Sequence, residues 1–180
     1  ALLVAPTGAG KTLAGFLPSL VDLVQAPRKG LHTLYISPLK ALAIDVHRNV
    51  EIPIAEMGLD IRAETRTGDT PSAKRVRQRK HPPHVLMTTP ESLALMLSYP
   101  DSDAFFAGLS CVIVDEIHAL AGTKRGAHLG ISLERLDGLL ERPAQRIGLS
   151  ATVRPLEEVA RFLGGTQPVE VIAPPSTKEW

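Results

Sequence analysis

Ala5-Pro6-Thr7-Gly8-Ala9-Gly10-Lys11-Thr12 stands between an apolar run, Ala1-Leu2-Leu3-Val4, and a segment whose apolar residues recur at helical spacing: Leu13, Phe16, Leu17, Leu20, Val21 and Val24. A buried strand, a small-residue turn and a helix start form the arrangement a phosphate-binding loop needs. Glycines let the backbone curl so that successive N–H groups converge on phosphate oxygens at the positive end of the helix. Thr7, Gly8, Ala9, Gly10, Lys11 and Thr12 are therefore the candidate nucleotide ligands, with Lys11 placed for the β- and γ-phosphates and the Thr12 hydroxyl for magnesium. Ala5 occupies the position where the usual pattern opens with Gly.

From this loop onward, strand-like runs alternate with helical patterns. Leu31–Ser37, Ile61–Thr65, Val85–Thr88, Val112–Val114, Arg146–Leu149 and Val169–Ile172 read as strands. Helices are expected over Leu39–Met57, after Thr70-Pro71-Ser72, over Pro90–Leu97, Leu129–Leu140 and Leu156–Leu163. Continuous apolar strands separated by helices predict an α/β fold, a mostly parallel sheet with helices on both faces. Pro18 is expected to kink or shorten the first helix. Ala121–Gly126 is expected to be a flexible surface loop.

A chain of 180 residues suits one domain with a real core, expected over 1–172, with 173–180 as a tail or linker. Hydrophobic residues make up 44% and charged residues 22%, as in ordinary globular proteins. The net charge of +1 gives no support for nucleic-acid binding, which must be argued from local sites. Cys111, the single cysteine, excludes an internal disulfide and fits a reducing compartment, so the expected location is cytoplasmic. No stretch reaches transmembrane length, and no membrane partner is expected.

A phosphate loop needs a partner that holds magnesium and prepares water. Asp115-Glu116-Ile117-His118 follows the apolar run Cys111–Val114, and ligands of open α/β sheets bind at the carboxyl ends of strands. Asp115 is the natural magnesium partner, through water, and Glu116 the carboxylate that polarises the attacking water. Ser150-Ala151-Thr152 follows the next strand, and its two hydroxyls can bond the acidic loop or its histidine; Ser and Thr there also serve as turn or cap residues.

Ala5–Thr12, Asp115–His118 and Ser150–Thr152, in this order and spacing, resemble motifs I, II and III of superfamily-two helicases of the DExH-box type. The resemblance covers nearly the whole chain, which is similar to the first of two RecA-like motor domains. Ser37–Leu42 resembles motif Ia, Arg66–Thr70 the Gly-containing motif that follows, and Thr88–Leu93 motif Ib. The run from Asp115 through Leu129 resembles the large helicase-related (Lhr-type) family, ATP-driven translocases that move 3′ to 5′ on single-stranded DNA.

The resemblance implies ATP and Mg2+ as ligands, Lys11, Asp115 and Glu116 as the catalytic group, and His118, Ser150 and Thr152 as coupling residues. It implies contacts to single-stranded nucleic acid, DNA favoured over RNA, from Pro38, Lys40, Arg66, Gly68, Thr89 and Arg125. Plain structure accounts for some of these too. Thr89-Pro90-Glu91 is a good helix start, and Lys40 either meets a phosphate or lies along a solvated helix. Arg125 either touches nucleic acid or braces the acidic motif. Lys74, Arg75, Arg77, Arg79 and Lys80 read as a solvated basic face, with no aromatic residue interleaved for base stacking. The resemblance also implies an upstream segment with an adenine-reading Gln and a second RecA-like domain with arginine fingers, both outside this chain. The rival readings are an RNA helicase, a P-loop ATPase unrelated to nucleic acid, and a non-enzymatic binding module.

Overall fold

In the computed structural model, which describes residues 1–8 and 10–173, seven strands form one parallel sheet in the order β3-β4-β2-β5-β6-β1-β7. The strands are β1 (Leu2–Val4), β2 (Thr33–Ile36), β3 (Ala63–Arg66), β4 (Val85–Thr88), β5 (Cys111–Val114), β6 (Gln145–Ser150) and β7 (Val171–Ile172). Between them run α1 (Lys11–Gln25), α2 (Lys40–Glu56), α3 (Ser72–Lys80), α4 (Pro90–Leu97), α5 (Ser102–Phe106), α6 (Lys124–Leu139) and α7 (Leu156–Gly164). A parallel neighbour can be reached only by a crossover, and most of these helices are the crossovers.

The strands alternate between two cores, because successive side chains of a strand leave opposite faces. Leu34, Ile36, Leu86, Val112 and Val114 join Leu93, Phe106, Leu129, Leu133 and Leu163 beneath α4, α5, α6 and α7. Tyr35, Val85, Met87, Ile113 and Leu149 join Phe16, Leu20, Val46 and Val50 beneath α1 and α2. Both faces of the central strands are covered, which is why they read as unbroken apolar runs. Removing one such leucine would cost about 2–5 kcal/mol.

Three local expectations change. Helix α1 runs through Pro18 without shortening; Ala14, whose carbonyl would have bonded residue 18, lies exposed where water can serve it. Of the helically spaced apolar residues, Phe16 and Leu20 are buried, whereas Leu13, Leu17, Val21 and Val24 are exposed. The segment expected to be a flexible loop over Ala121–Gly126 includes the first turn of α6, with Thr123 as N-cap: its Oγ1 accepts from the Gly126 N–H at 2.9 Å. Gly126 is buried, and a Cβ there would stand 1.9 Å from the Leu120 carbonyl oxygen. Glycine at 126 marks a close backbone approach rather than mobility.

Candidate functional site

Every motif singled out in the sequence leaves the carboxyl end of a strand, and parallel strands put all those ends on one edge. Along that edge stand Arg66–Gly68 after β3, Thr89 after β4, Ser37–Lys40 after β2, Asp115–His118 after β5, Ser150–Thr152 at the end of β6, and the lysine loop after β1. Strand order thus divides the edge in two. The acidic, hydroxyl and lysine motifs adjoin on β5, β6 and β1; the motifs expected to face nucleic acid adjoin on β3, β4 and β2.

In the lysine loop, Gly8 and Gly10 take φ of 82° and 75°, a left-handed backbone that glycine adopts without steric cost. Gly10 caps α1, whose first residue is Lys11. Lys11 is 9% exposed, and its ammonium donates to the Ala5 and Pro6 carbonyls at 2.6 and 2.9 Å. Thr7 is exposed and Thr12 half-buried. Ala9 lies outside the described residues.

Across β6, Asp115 is 4% exposed and both of its carboxylate oxygens are engaged. Oδ1 accepts the Glu116 N–H at 2.8 Å, and Oδ2 accepts the hydroxyl of Tyr35 from β2. Tyr35 is fully buried; that burial, together with Asp115, pushes its hydroxyl well above the usual tyrosine value, so it stays a donor. Glu116 has φ 47° and ψ 37°, and among the described residues it is the one non-glycine position with positive φ. The backbone therefore turns sharply between the buried acid and the half-exposed one.

Glu116 and Ser150 are joined through His118. The Ala151 N–H donates to His118 Nδ1 at 3.3 Å, which makes that nitrogen an acceptor; the Ser150 hydroxyl lies 3.2 Å from it. The ring proton then belongs on Nε2, 3.2 Å from Glu116 Oε2. Ser150 meets the histidine as expected from the sequence. Thr152 does not: it is exposed and makes no side-chain hydrogen bond among the described residues, and the backbone of Ala151 takes its place.

On the other half of the edge, Lys40, Arg66, Gly68, Arg75, Thr89 and Glu91 line a groove of about 450 Å³. Lys40 is exposed and pairs with Asp69 at 3.1 Å, beside Gly68. Arg66, expected from the resemblance to contact nucleic acid, is held within the protein in this structure. It is 2% exposed, and its guanidinium donates to the Arg75 carbonyl and the Tyr99 hydroxyl at 3.3 Å each. Burial also lowers its affinity for the proton. Thr89 is 3% exposed and caps α4, its Oγ1 accepting from the Ser92 N–H at 3.4 Å. Pro38 is buried in the turn after β2. Neither Thr89 nor Pro38 offers a free side-chain donor here.

The basic run on α3 is largely committed within the protein. Arg75 donates to the Gly68 carbonyl at 2.6 Å, Arg77 pairs with Glu64 at 2.9 Å, and Arg79 pairs with Asp101 at 2.7 Å while lying over the Tyr99 ring. Arg125 does not brace the acidic motif directly. Its Nε and Nη2 clasp the two carboxylate oxygens of Glu91, the second at 2.9 Å.

Sequence reading gave no site contact to Tyr35, Arg75, Glu91 or the Ala151 N–H. Tyr35 left a signal: a tyrosine inside a central strand must bury its hydroxyl and find a partner, and the neighbouring strand ends in Asp115. The others are set by tertiary placement alone.

A parallel sheet with a lysine loop after one strand and an acidic pair after another defines a RecA-like nucleoside-triphosphatase domain. The DEAD/DEAH box helicase family matches residues 1–161, and the chain belongs to that family. It is 53% identical over 190 residues to the Lhr helicase/probable uracil glycosylase of Mycolicibacterium smegmatis, spanning 98% of this chain and 12% of that protein. It is 49% identical over 197 residues to the Lhr helicase/uracil glycosylase of Escherichia coli, spanning 99% of this chain and 13% of that one. The solved structure of Mycobacterium smegmatis helicase Lhr bound to ssDNA and AMP-PNP superposes with a TM-score of 0.89 over 97% of this chain and 24% of that chain, at 53% identity. The chain thus corresponds to roughly an eighth of the length of these two curated relatives. Among the described residues no helix is long and apolar enough to cross a membrane.

Proposed function

We propose that this chain is the ATP-binding motor domain of an ATP-dependent DNA helicase or translocase that moves 3′ to 5′ on single-stranded DNA. The observation that carries the reading is the adjacency of the lysine loop, Ser150 and Asp115-Glu116 on one sheet edge, with His118 between the last two. DNA is favoured over RNA because the similar Lhr helicase has been solved with ssDNA and AMP-PNP. Family membership sets aside a P-loop ATPase unrelated to nucleic acid.

Lys11 exchanges the carbonyls of Ala5 and Pro6 for phosphate oxygens when nucleotide enters, and the N–H groups of Gly8 through Thr12 cradle the phosphates. The donor set fits magnesium: a threonine hydroxyl and one buried carboxylate are hard oxygen ligands, and Mg2+ is usually held by few protein groups plus substrate phosphates. No group of three or more His, Cys, Asp or Glu forms a metal cage among the described residues, in keeping with that mode. Thr12 and Asp115, the latter through water, would hold the ion, which supplies neutralisation of the developing phosphate charge. Glu116, turned out of the strand by its left-handed backbone and steadied by the His118 Nε2–H, orients and deprotonates the attacking water. On the other half of the edge, Lys40, Gly68 and the N-terminus of α4 beside Thr89 meet the sugar-phosphate backbone. A second RecA-like domain, towards which 173–180 would lead, supplies arginines to the transferring phosphate.

The test is turnover by the full-length protein with single-stranded DNA or RNA. Lys11→Ala is expected to abolish DNA-stimulated ATP hydrolysis. Glu116→Gln is expected to keep ATP binding while slowing hydrolysis by about 10²-fold or more. Wild-type turnover in the Glu116→Gln protein would remove that carboxylate from its role, and stronger stimulation by RNA would reverse the choice of substrate.

A further inference from the structure

Tyr35 belongs to no motif, yet it touches both halves of the nucleotide site. Its ring stacks on Phe16 of α1, with centroids 5.3 Å apart and planes at 27°. Phe16 lies one helical turn beyond Thr12, at the spacing that puts two side chains on one face. The Tyr35 hydroxyl reaches Asp115 Oδ2 across the β2–β5 pair, where Tyr35 stands beside Ile113 in register. Phe16 and Tyr35 are fully buried and Asp115 is 4% exposed, so the bond is shielded from bulk water.

A buried carboxylate held on one oxygen alone can still rotate about its χ2 bond. Asp115 Oδ1 is held by the Glu116 N–H; the Tyr35 hydroxyl holds Oδ2 and removes that remaining freedom. Each oxygen keeps a lone pair for a second partner. The phenol is fixed in turn by its ring, locked between the sheet and Phe16.

We propose that Tyr35 is a positioning residue of the nucleotide site: its hydroxyl fixes the Asp115 carboxylate in the one orientation that meets the magnesium–nucleotide complex, and its ring ties that orientation to the helix carrying Lys11 and Thr12. This rests on the nucleotide-site reading above. Partners that orient a direct metal ligand from behind are worth about 10–100-fold in metal affinity, and behind an acid that meets the ion through water the lower end of that range is the ceiling. The bland alternative is a core tyrosine that has merely found an acceptor, in which case its hydroxyl matters for stability and not for magnesium.

The two are separated in the full-length protein by titrating Mg2+ against binding of a fluorescent ATP analogue, alongside thermal melting without nucleotide or magnesium. Tyr35→Phe keeps the stacked ring and removes only the hydroxyl. The expected result is a Mg2+ midpoint raised by about threefold to tenfold, with full binding recovered at high Mg2+. Phe16→Leu keeps the hydroxyl but loosens the ring, and is expected to move the midpoint the same way by less. An unchanged midpoint in both variants, whatever the melting temperature does, would overturn the inference. Wild-type protein binding the analogue with no Mg2+ dependence would overturn the magnesium reading of Asp115, and this inference with it.

Discussion

Arg125 and Glu91 clasp each other with two parallel N–H···O contacts, joining the first turn of α6 to the first turn of α4 across 34 residues of sequence. Helix α4 begins at the motif expected to grip nucleic acid, and α6 begins just after the acidic motif. The clasp therefore connects the helix that begins in one half of the functional edge to the helix that follows the other half.

Both partners are well exposed, so the bond is screened, and a double-mutant cycle with Glu91→Gln and Arg125→Ala should give a coupling of only about 0.5 kcal/mol. The Arg125 guanidinium holds the Glu91 carboxyl below its usual range. A depressed carboxyl value means that the unfolded chain takes up the proton first. The contribution of the pair is thus present above about pH 4.3 and is lost as pH falls towards the folded value. Urea melts at several pH values would check this; a coupling that grew on acidification would contradict it.

Ser150→Ala is expected to impair strand separation more than ATP hydrolysis, because the Ala151 N–H still holds the His118 ring against Glu116 when the hydroxyl is gone. Thr152→Ala is expected to leave both rates within about twofold, since an exposed residue without partners contributes little. Paired ATPase and unwinding assays on each single variant decide the matter. Equal loss of both activities in Ser150→Ala would make the serine a general support of the active site instead.

Gly126→Ala should destabilise the domain by more than about 2 kcal/mol. The obstructing atom is a backbone carbonyl rather than the end of a side chain, so the turn from Leu120 to α6 would have to open. Thermal melting of the Gly126→Ala protein measures this directly. An unchanged melting temperature would mean that the α6 N-terminus can shift freely.

What was legible in the sequence is what depends on neighbours along the chain. The lysine loop, the acidic motif and the strand β4–helix α4 pair could be read because periodicity and cap chemistry are local. Helix α5, five residues long, is too short to show a period. The start of α6 was hidden by Gly122 and Gly126, since a glycine needed for close approach looks the same in sequence as one that loosens a loop. The surroundings of Arg66 were hidden for another reason. Its motif places it correctly at the end of β3, but only the packed structure shows that its guanidinium donates to the Arg75 carbonyl and the Tyr99 hydroxyl. Tyr35, eighty residues from Asp115, signalled in sequence that its hydroxyl needs a buried partner, but strand order had to supply which one.

The left-handed turn at Glu116 sets selection for durability against selection for work. An L-residue with that backbone gives up about 1–2 kcal/mol that glycine would not. Directed evolution of this domain for heat resistance alone should therefore drift towards glycine at 116. The survivors would be sturdier proteins that had discarded the carboxylate proposed to prepare water for attack.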